Sequence, residues 1–259
     1  MKMVSAAKLK GDENRLAVAK PFNAWATRIS GSPTLLEDAT FEDIPTKSLL
    51  VPITSDKGLC GGVNSFITRN VKNCVATLAK QGKDCDLVIL GDKGRSQMRR
   101  LLSDKIVRSM TEIQAPGSYS LASGLASELI AAGAYNYDAV VLIYNTFKNA
   151  AVYKQVYTVI KPLKTIGDVE PMVEYEFEPD TKSEVLLDLY EYMLTSHVMH
   201  AFMDAATSEQ SSRMTAMENA SKNAGEMIHA LTLKYNRARQ ARITTELIEI
   251  ISGASALEG

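Results

Sequence analysis

Hydrophobic spacing changes twice along this chain of 259 residues, which divides it into three regions. Residues 1 to about 29 are rich in Ala, Lys and Met and predict a helix. Gly11 and Pro21 predict a bend or local irregularity within it, and SGSP at 30–33 a stop. From about 49 to 179 the pattern alternates. LLVPI, DLVILG and DAVVLIYN are short apolar runs that predict buried strands. Residues 105–112 predict another strand, and AVYKQVYTVIKPL a hairpin partner at the sheet edge. Helical stretches run from the glycine turn at 58–62 to about Gln81, and through Leu102. SYSLASGLASELIAAGA adds a third, with Leu121, Leu125, Leu129 and Ala132 at helical spacing. Strands alternating with helices predict an α/β layer fold around a partly parallel sheet.

From 181 to about 251 there is no proline. As one helix this region would span on the order of 105 Å, at ~1.5 Å per residue. A middle domain of this size should be roughly 30–35 Å across. Much of the helix then needs another surface for its apolar face. Met214, Met217, Ser221, Ala224, Ile228, Leu231, Tyr235, Ala238, Arg242 and Thr245 step by three or four, the seam of a two-stranded coil. The small residues Ala216, Ala220, Ala224 and Ala238 suit close helix approach. The first region is the natural partner, so the two ends predict an antiparallel coiled coil: 1–30 and 181–256 as its helices, 48–180 as the α/β domain.

Charge adds to this picture. Residues 1–30 carry a net +4 and residues 213–242 another +4, in a chain whose total is −1. Two like-charged helices do not neutralise each other, so an acidic external partner is expected. Nucleic acid is a poorer fit, because the basic residues lack interleaved aromatics. No apolar run approaches the ~20 residues that cross a bilayer, and no signal or transit peptide stands out. Cys60, Cys74 and Cys85 have neither zinc nor disulfide-framework spacing, which suits a reducing compartment.

Candidate chemistry is sparse. No GxxxxGK[ST] loop and no GxGxxG after a strand occurs. GDKGRS at 91–96 reads as an ordinary strand-to-helix turn in preference to an anion cradle. His197 and His200 lie three apart with no further Cys or His nearby, a structural pair in preference to a metal site. Cys60 sits between Leu59 and Gly61 with no local base, in a glycine-tight structural turn. No catalytic residue, cofactor or metal ligand is assigned.

The motif TSDKGLCGGVN at 54–64, the stretch TSEQSSRMTAMENASKNA and LKYNRARQARITTELIEIISGASAL together strongly resemble the gamma subunit of the F-type ATP synthase. The opening MKMV with its AAK resembles the late part of that family's N-terminal helix, and the wording of the C-terminal helix is similar to the mitochondrial branch. Family members carry roughly twenty more residues before the MKMV-like segment, so Met1 opens in mid-helix. The chloroplast form's paired-cysteine insertion is absent.

The resemblance implies a long antiparallel coiled coil plus a Rossmann-like α/β domain. It implies a non-catalytic central-stalk rotor inside a ring of three alpha and three beta subunits. Delta and epsilon subunits and the membrane c-ring would be its other partners, at the matrix side of the mitochondrial inner membrane, peripherally bound. It further implies that Arg239, Gln240, Thr244 and Glu246 meet acidic and polar loops of beta, with Met1 and Lys2 opposite them and Lys57 an additional contact. Two other readings stay open: a nucleotide-binding α/β enzyme with helical dimerisation arms, and a regulatory coiled-coil module.

Overall fold

The computed structural model describes residues 1–37, 39–113, 117–162 and 181–258. The stretch 163–180 of the expected α/β domain therefore lies outside the described residues. Contacts divide the chain into two compact units, Met1–Thr215 and Ala216–Gly259.

In the first unit, helices α1 (Lys2–Phe22) and α2 (Ala24–Ser30) precede a short strand β1 (Thr34–Leu35). Then come β2 (Lys47–Pro52), α3 (Val63–Lys80), β3 (Asp84–Leu90), α4 (Asp92–Leu102), β4 (Ile106–Met110), α5 (Tyr119–Ala131), β5 (Ala139–Asn149) and β6 (Val152–Ile160). The last helix, α6 (Lys182–Glu258), has its first part in this unit. Gly11 sits inside a continuous α1, and Pro21 lies in its last turn. The break comes two residues later, at Asn23, the C-cap of α1 and N-cap of α2.

The six strands form one sheet in the order β1-β6-β5-β2-β3-β4. β2 runs parallel to both β3 and β5, and β3 parallel to β4. β6 returns antiparallel along β5, as the hairpin reading expects, and β1 caps the edge antiparallel to β6. The central strands are apolar on both faces because both are covered. Leu49, Val51, Val88, Leu90, Val140 and Leu142 face α2, α5 and the root of α6. Their neighbours Leu50, Leu87, Ile89, Val141 and Ile143 face α3, with Cys74, Leu78, Met98 and Phe41. The period of two along each strand thus feeds two separate cores.

Helix α1 runs antiparallel to the root of α6. Ser30 reaches Met193 and His197, Asn23 meets His197, and Leu16 and Ala19 pack on Met203 and Met199. Ser5, Leu9, Asp12, Leu16 and Ala19 give α1 its buried stripe at three- and four-residue steps. The predicted coil is thus present beside the α/β domain. Further along the predicted seam, Met214 and Met217 are half-buried, and every position from Ser221 to Thr245 is exposed.

Candidate functional site

Two features concentrate unusual chemistry. One is the loop between β2 and α3 together with the root of α6, and the other is the exposed part of α6 in the second unit.

The strand order reverses at β2 and β5, the place where open α/β sheets bind ligands at strand C-termini. Beside it stands the N-terminus of α4, whose amides point out with the positive end of a helix dipole. Those amides are already used. The carboxylate of Asp56 accepts from Asp92 N at 2.9 Å, and its other oxygen accepts from Ile113 N at 2.8 Å. Lys93 N donates to the Ser55 carbonyl at 3.1 Å, and Gly94 N to Thr54 Oγ1 at 3.0 Å. A side-chain carboxylate of the chain itself occupies the position a bound phosphate would take. Gly91 is in the left-handed region, φ 97°, where a Cβ would collide with the Thr54 carbonyl. These glycines serve the approach of residue 54, which agrees with reading GDKGRS as a turn.

The same loop grips α6. Ser212 Oγ donates to the Cys60 carbonyl at 2.7 Å, and Arg213 Nη2 donates to the Gly58 carbonyl at 3.4 Å. Arg213 also donates to Gln210 Oε1 at 3.0 Å and forms an ion pair with Glu209. Burial pushes the Glu209 carboxyl above the ordinary range, against the pull of Arg213. Toward the start of the helix, Ser211 Oγ donates to the Ala150 carbonyl at 2.7 Å and Ser208 Oγ to the Asn145 carbonyl at 3.2 Å. Asp204 accepts from Phe147 N at 2.8 Å and from Thr146 Oγ1 at 2.7 Å. Five side chains spread over ten residues of α6 therefore tie it to the β2–α3 loop, the end of β5 and the β5–β6 turn. An apolar face tolerates sliding, whereas this face fixes register and rotation through directional bonds.

The loop itself is held from inside. Asn64 Oδ1 accepts from Ser55 N at 3.0 Å, and Asn64 Nδ2 donates to Ser55 Oγ at 2.8 Å and to Cys60 Sγ at 3.3 Å. Burial pushes the Cys60 thiol up, inside the contacts that Asn64 and Ser55 make with its sulfur. Leu59 has φ 62°, unusual for a branched residue, and is 67 % exposed. Lys57 is exposed on the same loop.

His197 is buried, with its ring nitrogens 3.4 Å from Asn23 Nδ2 and 3.1 Å from Ser30 Oγ. Desolvation, reinforced by His200, holds it down to about 4. It joins α2 to α6. Among the described residues no group of His, Cys, Asp and Glu could hold a metal ion.

In the second unit, α6 is exposed from Ser221 to Leu257 except at Asn236. Ile228, Leu231, Tyr235, Ile243, Leu247, Ile250 and Ile251 are each more than half exposed. Arg239, Gln240, Thr244 and Glu246 all lie on this exposed helix. Thr244 Oγ1 donates to the Gln240 carbonyl at 2.9 Å, and Glu246 pairs with Arg242 at 2.8 Å. Arg239 and Glu246, two turns apart, share a side of the helix. Met1 and Lys2 are exposed at the start of α1, in the first unit. Sequence reasoning did not assign Thr54, Asp56, Ser208, Ser211, Ser212 or Arg213. Their only signal was membership of two of the motifs that carry the family resemblance, TSDKGLCGGVN and TSEQSSRMTAMENASKNA.

Comparison with known proteins agrees with this architecture. The ATP synthase family matches residues 1–257. The chain is 40 % identical to the mitochondrial ATP synthase F(1) complex subunit gamma of Rattus norvegicus, covering 100 % of this chain and 92 % of that one. It is 37 % identical to the ATP synthase gamma chain of Paramagnetospirillum magneticum, over 99 % and 92 % of the two chains. A chain in the central stalk and c-ring structure of the Tetrahymena thermophila mitochondrial ATP synthase superposes with a TM-score of 0.69 at 35 % identity, covering 85 % of this chain and 97 % of that chain. A chain of the Euglena gracilis enzyme shares the fold, with a TM-score of 0.72 at 19 % identity over 99 % and 94 %. With sequence matched over almost its whole length and the fold shared, the chain belongs to the gamma-subunit family of the ATP synthases.

Proposed function

We infer that the polar clamp at 204–213 anchors the rotor helix to the α/β domain, so that torque passes between them without slip. The chain is the central-stalk rotor of a proton-translocating ATP synthase. It couples rotation of the membrane c-ring to conformational change at the catalytic beta subunits and performs no bond-making itself. Its partners are the alpha and beta subunits of the head, the delta and epsilon subunits of the stalk, and the c-ring. It works at the matrix side of the mitochondrial inner membrane as a peripheral subunit, and no described helix is long and apolar enough to cross a membrane.

The observation that carries the clamp is the set of five polar side chains from Asp204 to Arg213 bonded to two backbone stretches far apart in sequence, 145–150 and 58–60. Rotation of the helix by even one residue would break them together. In this reading the exposed helix after Ala216 presents Arg239, Gln240, Thr244 and Glu246 to beta, and Met1, Lys2 and Lys57 serve as further contacts. A guanidinium suits such a contact because it grips a carboxylate in a fork and releases it as the partner loop moves. The enzyme alternative is disfavoured by the closed α4 N-terminus, where Asp56 already supplies the anion.

The test is depletion of this chain from the native complex. The head should keep its nucleotide sites while proton-driven synthesis of ATP is lost. Loss of nucleotide binding in the head, or binding of nucleotide by the isolated chain, would favour the enzyme alternative.

A further inference from the structure

On the sheet face away from α6, helices α3 and α4 enclose a shallow groove of about 410 Å³ lined by Ser65, Thr68, Arg69, Lys72, Asn73 and Gln97. Every lining side chain offers a hydrogen-bond donor, two are cations and none is acidic. The surroundings have the same sign. Together α3 and α4 carry seven basic residues and the single acid Asp92, in a chain of net charge −1.

One residue stands apart. Thr68 is 4 % exposed, and its hydroxyl has no hydrogen-bond partner among the described residues. At Thr195, Ser196, Thr207 and Thr244 the helical hydroxyl returns to the carbonyl four residues back, and at Ser208, Ser211 and Ser212 it reaches a carbonyl on another segment. Thr68 does neither, although an unpaired buried hydroxyl disfavours the fold. Arg69 makes no ion pair among the described residues and lies over the Phe66 ring, 5.9 Å from its centre. The half-buried Lys72 likewise has no carboxylate partner among them.

We propose that this groove binds a phosphate group, with Arg69 and Lys72 supplying charge and Thr68, Ser65, Asn73 and Gln97 donating to its oxygens. A fork, a point charge and several neutral donors around a concave space complement a compact, multiply accepting oxyanion. The phosphate belongs either to a free anion or to the headgroup of an anionic lipid, since both present the same oxygens. The site is separate from the α4 N-terminus and from the clamp. It does not depend on the rotor reading.

Pyrophosphate titration of the full chain, followed by thermal unfolding, tests the proposal against Arg69→Gln/Lys72→Gln and Thr68→Val. At tenfold excess over Kd, pyrophosphate should raise the wild-type Tm by about 4 °C. The double variant should lose that rise, and Thr68→Val should weaken binding about tenfold while raising the ligand-free Tm. Because excluded-ion stabilisation acts on all variants alike, only the variant-dependent part counts. Flotation with vesicles of anionic phospholipid against phosphatidylcholine forms the second arm. Binding to anionic vesicles alone, lost in the double variant, supports the site and places its phosphate on a lipid. Equal Tm rises in all variants with no variant-dependent flotation would overturn it. So would loss of a neighbouring acidic subunit from the double variant's complex with phosphate binding unchanged, and the groove would then be a protein contact.

Discussion

Arg213 donates to the carbonyl oxygen of Gly58, 155 positions earlier, while pairing with Glu209 one turn back on its own helix. A buried cation, a half-buried carboxylate and a loop carbonyl are thereby joined where α6 meets the TSDKGLCGGVN loop. Removing one partner of such a pair costs more than the pair contributes, because the other charge stays buried alone.

Arg213→Ala is therefore expected to destabilise the first unit by about 3 kcal/mol. Adding Glu209→Gln should recover part of that loss. Urea unfolding of the single and double variants measures both. A single variant within ~0.5 kcal/mol of wild type would show that the clamp contributes little.

Asp56 answers for two amides on different elements, Asp92 N and Ile113 N. Asp56→Ala should cost about 3 kcal/mol, since two charge-assisted bonds are lost and a helix N-terminus is left bare. Hydrogen exchange at Asp92 and Ile113 should accelerate together. Unchanged exchange at either would contradict the account of this loop.

Much of the architecture was legible from spacing. Runs such as DLVILG and DAVVLIYN read as buried strands and the proline-free stretch after 181 as a long helix, and the chain folds so. β1 was not legible, because two residues at a sheet edge carry no periodic signal. The helix break fell at Asn23, two residues after Pro21, which lies in the last turn of α1. The clamp was hidden for a different reason. Ser208, Ser211 and Ser212 find their partners 61 to 152 positions away, and serines in a helix read as neutral surface until those carbonyls are placed. Thr54, Ser55 and Asp56 stood in a recognisable motif, yet their task of filling the α4 N-terminus depends on residues 36 to 57 positions on.

His197 makes the first unit acid-sensitive. The folded chain accepts the neutral ring, held down to about 4, while the unfolded chain titrates near 6.5. As pH falls from about 6.5 toward 4, the unfolded state gains a proton the folded state refuses. Stability should fall by roughly 3 kcal/mol across that window. Asp12 and Glu209, whose carboxyls burial raises, act with the opposite sign at the lower end. The clean readout is the difference between wild type and His197→Gln, which should have a flatter pH profile between 6.5 and 4. Parallel profiles would refute the assignment.

Arg239 lies exposed in a basic stretch of α6. Arg239→Ala should weaken coupling between rotation and synthesis while leaving the α/β domain folded. The loss should sit near the low end of ~2–5 kcal/mol for a truncated interfacial charge pair, because a contact remade every turn must also release. Salt should shrink the effect, and Arg239→Lys should rescue only part, keeping the charge without the fork. Wild-type synthesis rates at low and high salt would remove Arg239 from the contact.

The central claim is that this chain is the single asymmetric shaft of a rotary synthase. Native mass spectrometry of the complex purified through a tag on this chain addresses it most directly. The account predicts one copy of the chain with three alpha and three beta subunits, together with stalk subunits and the c-ring. Recovery of the chain alone or as a symmetric dimer, without alpha or beta, would contradict it.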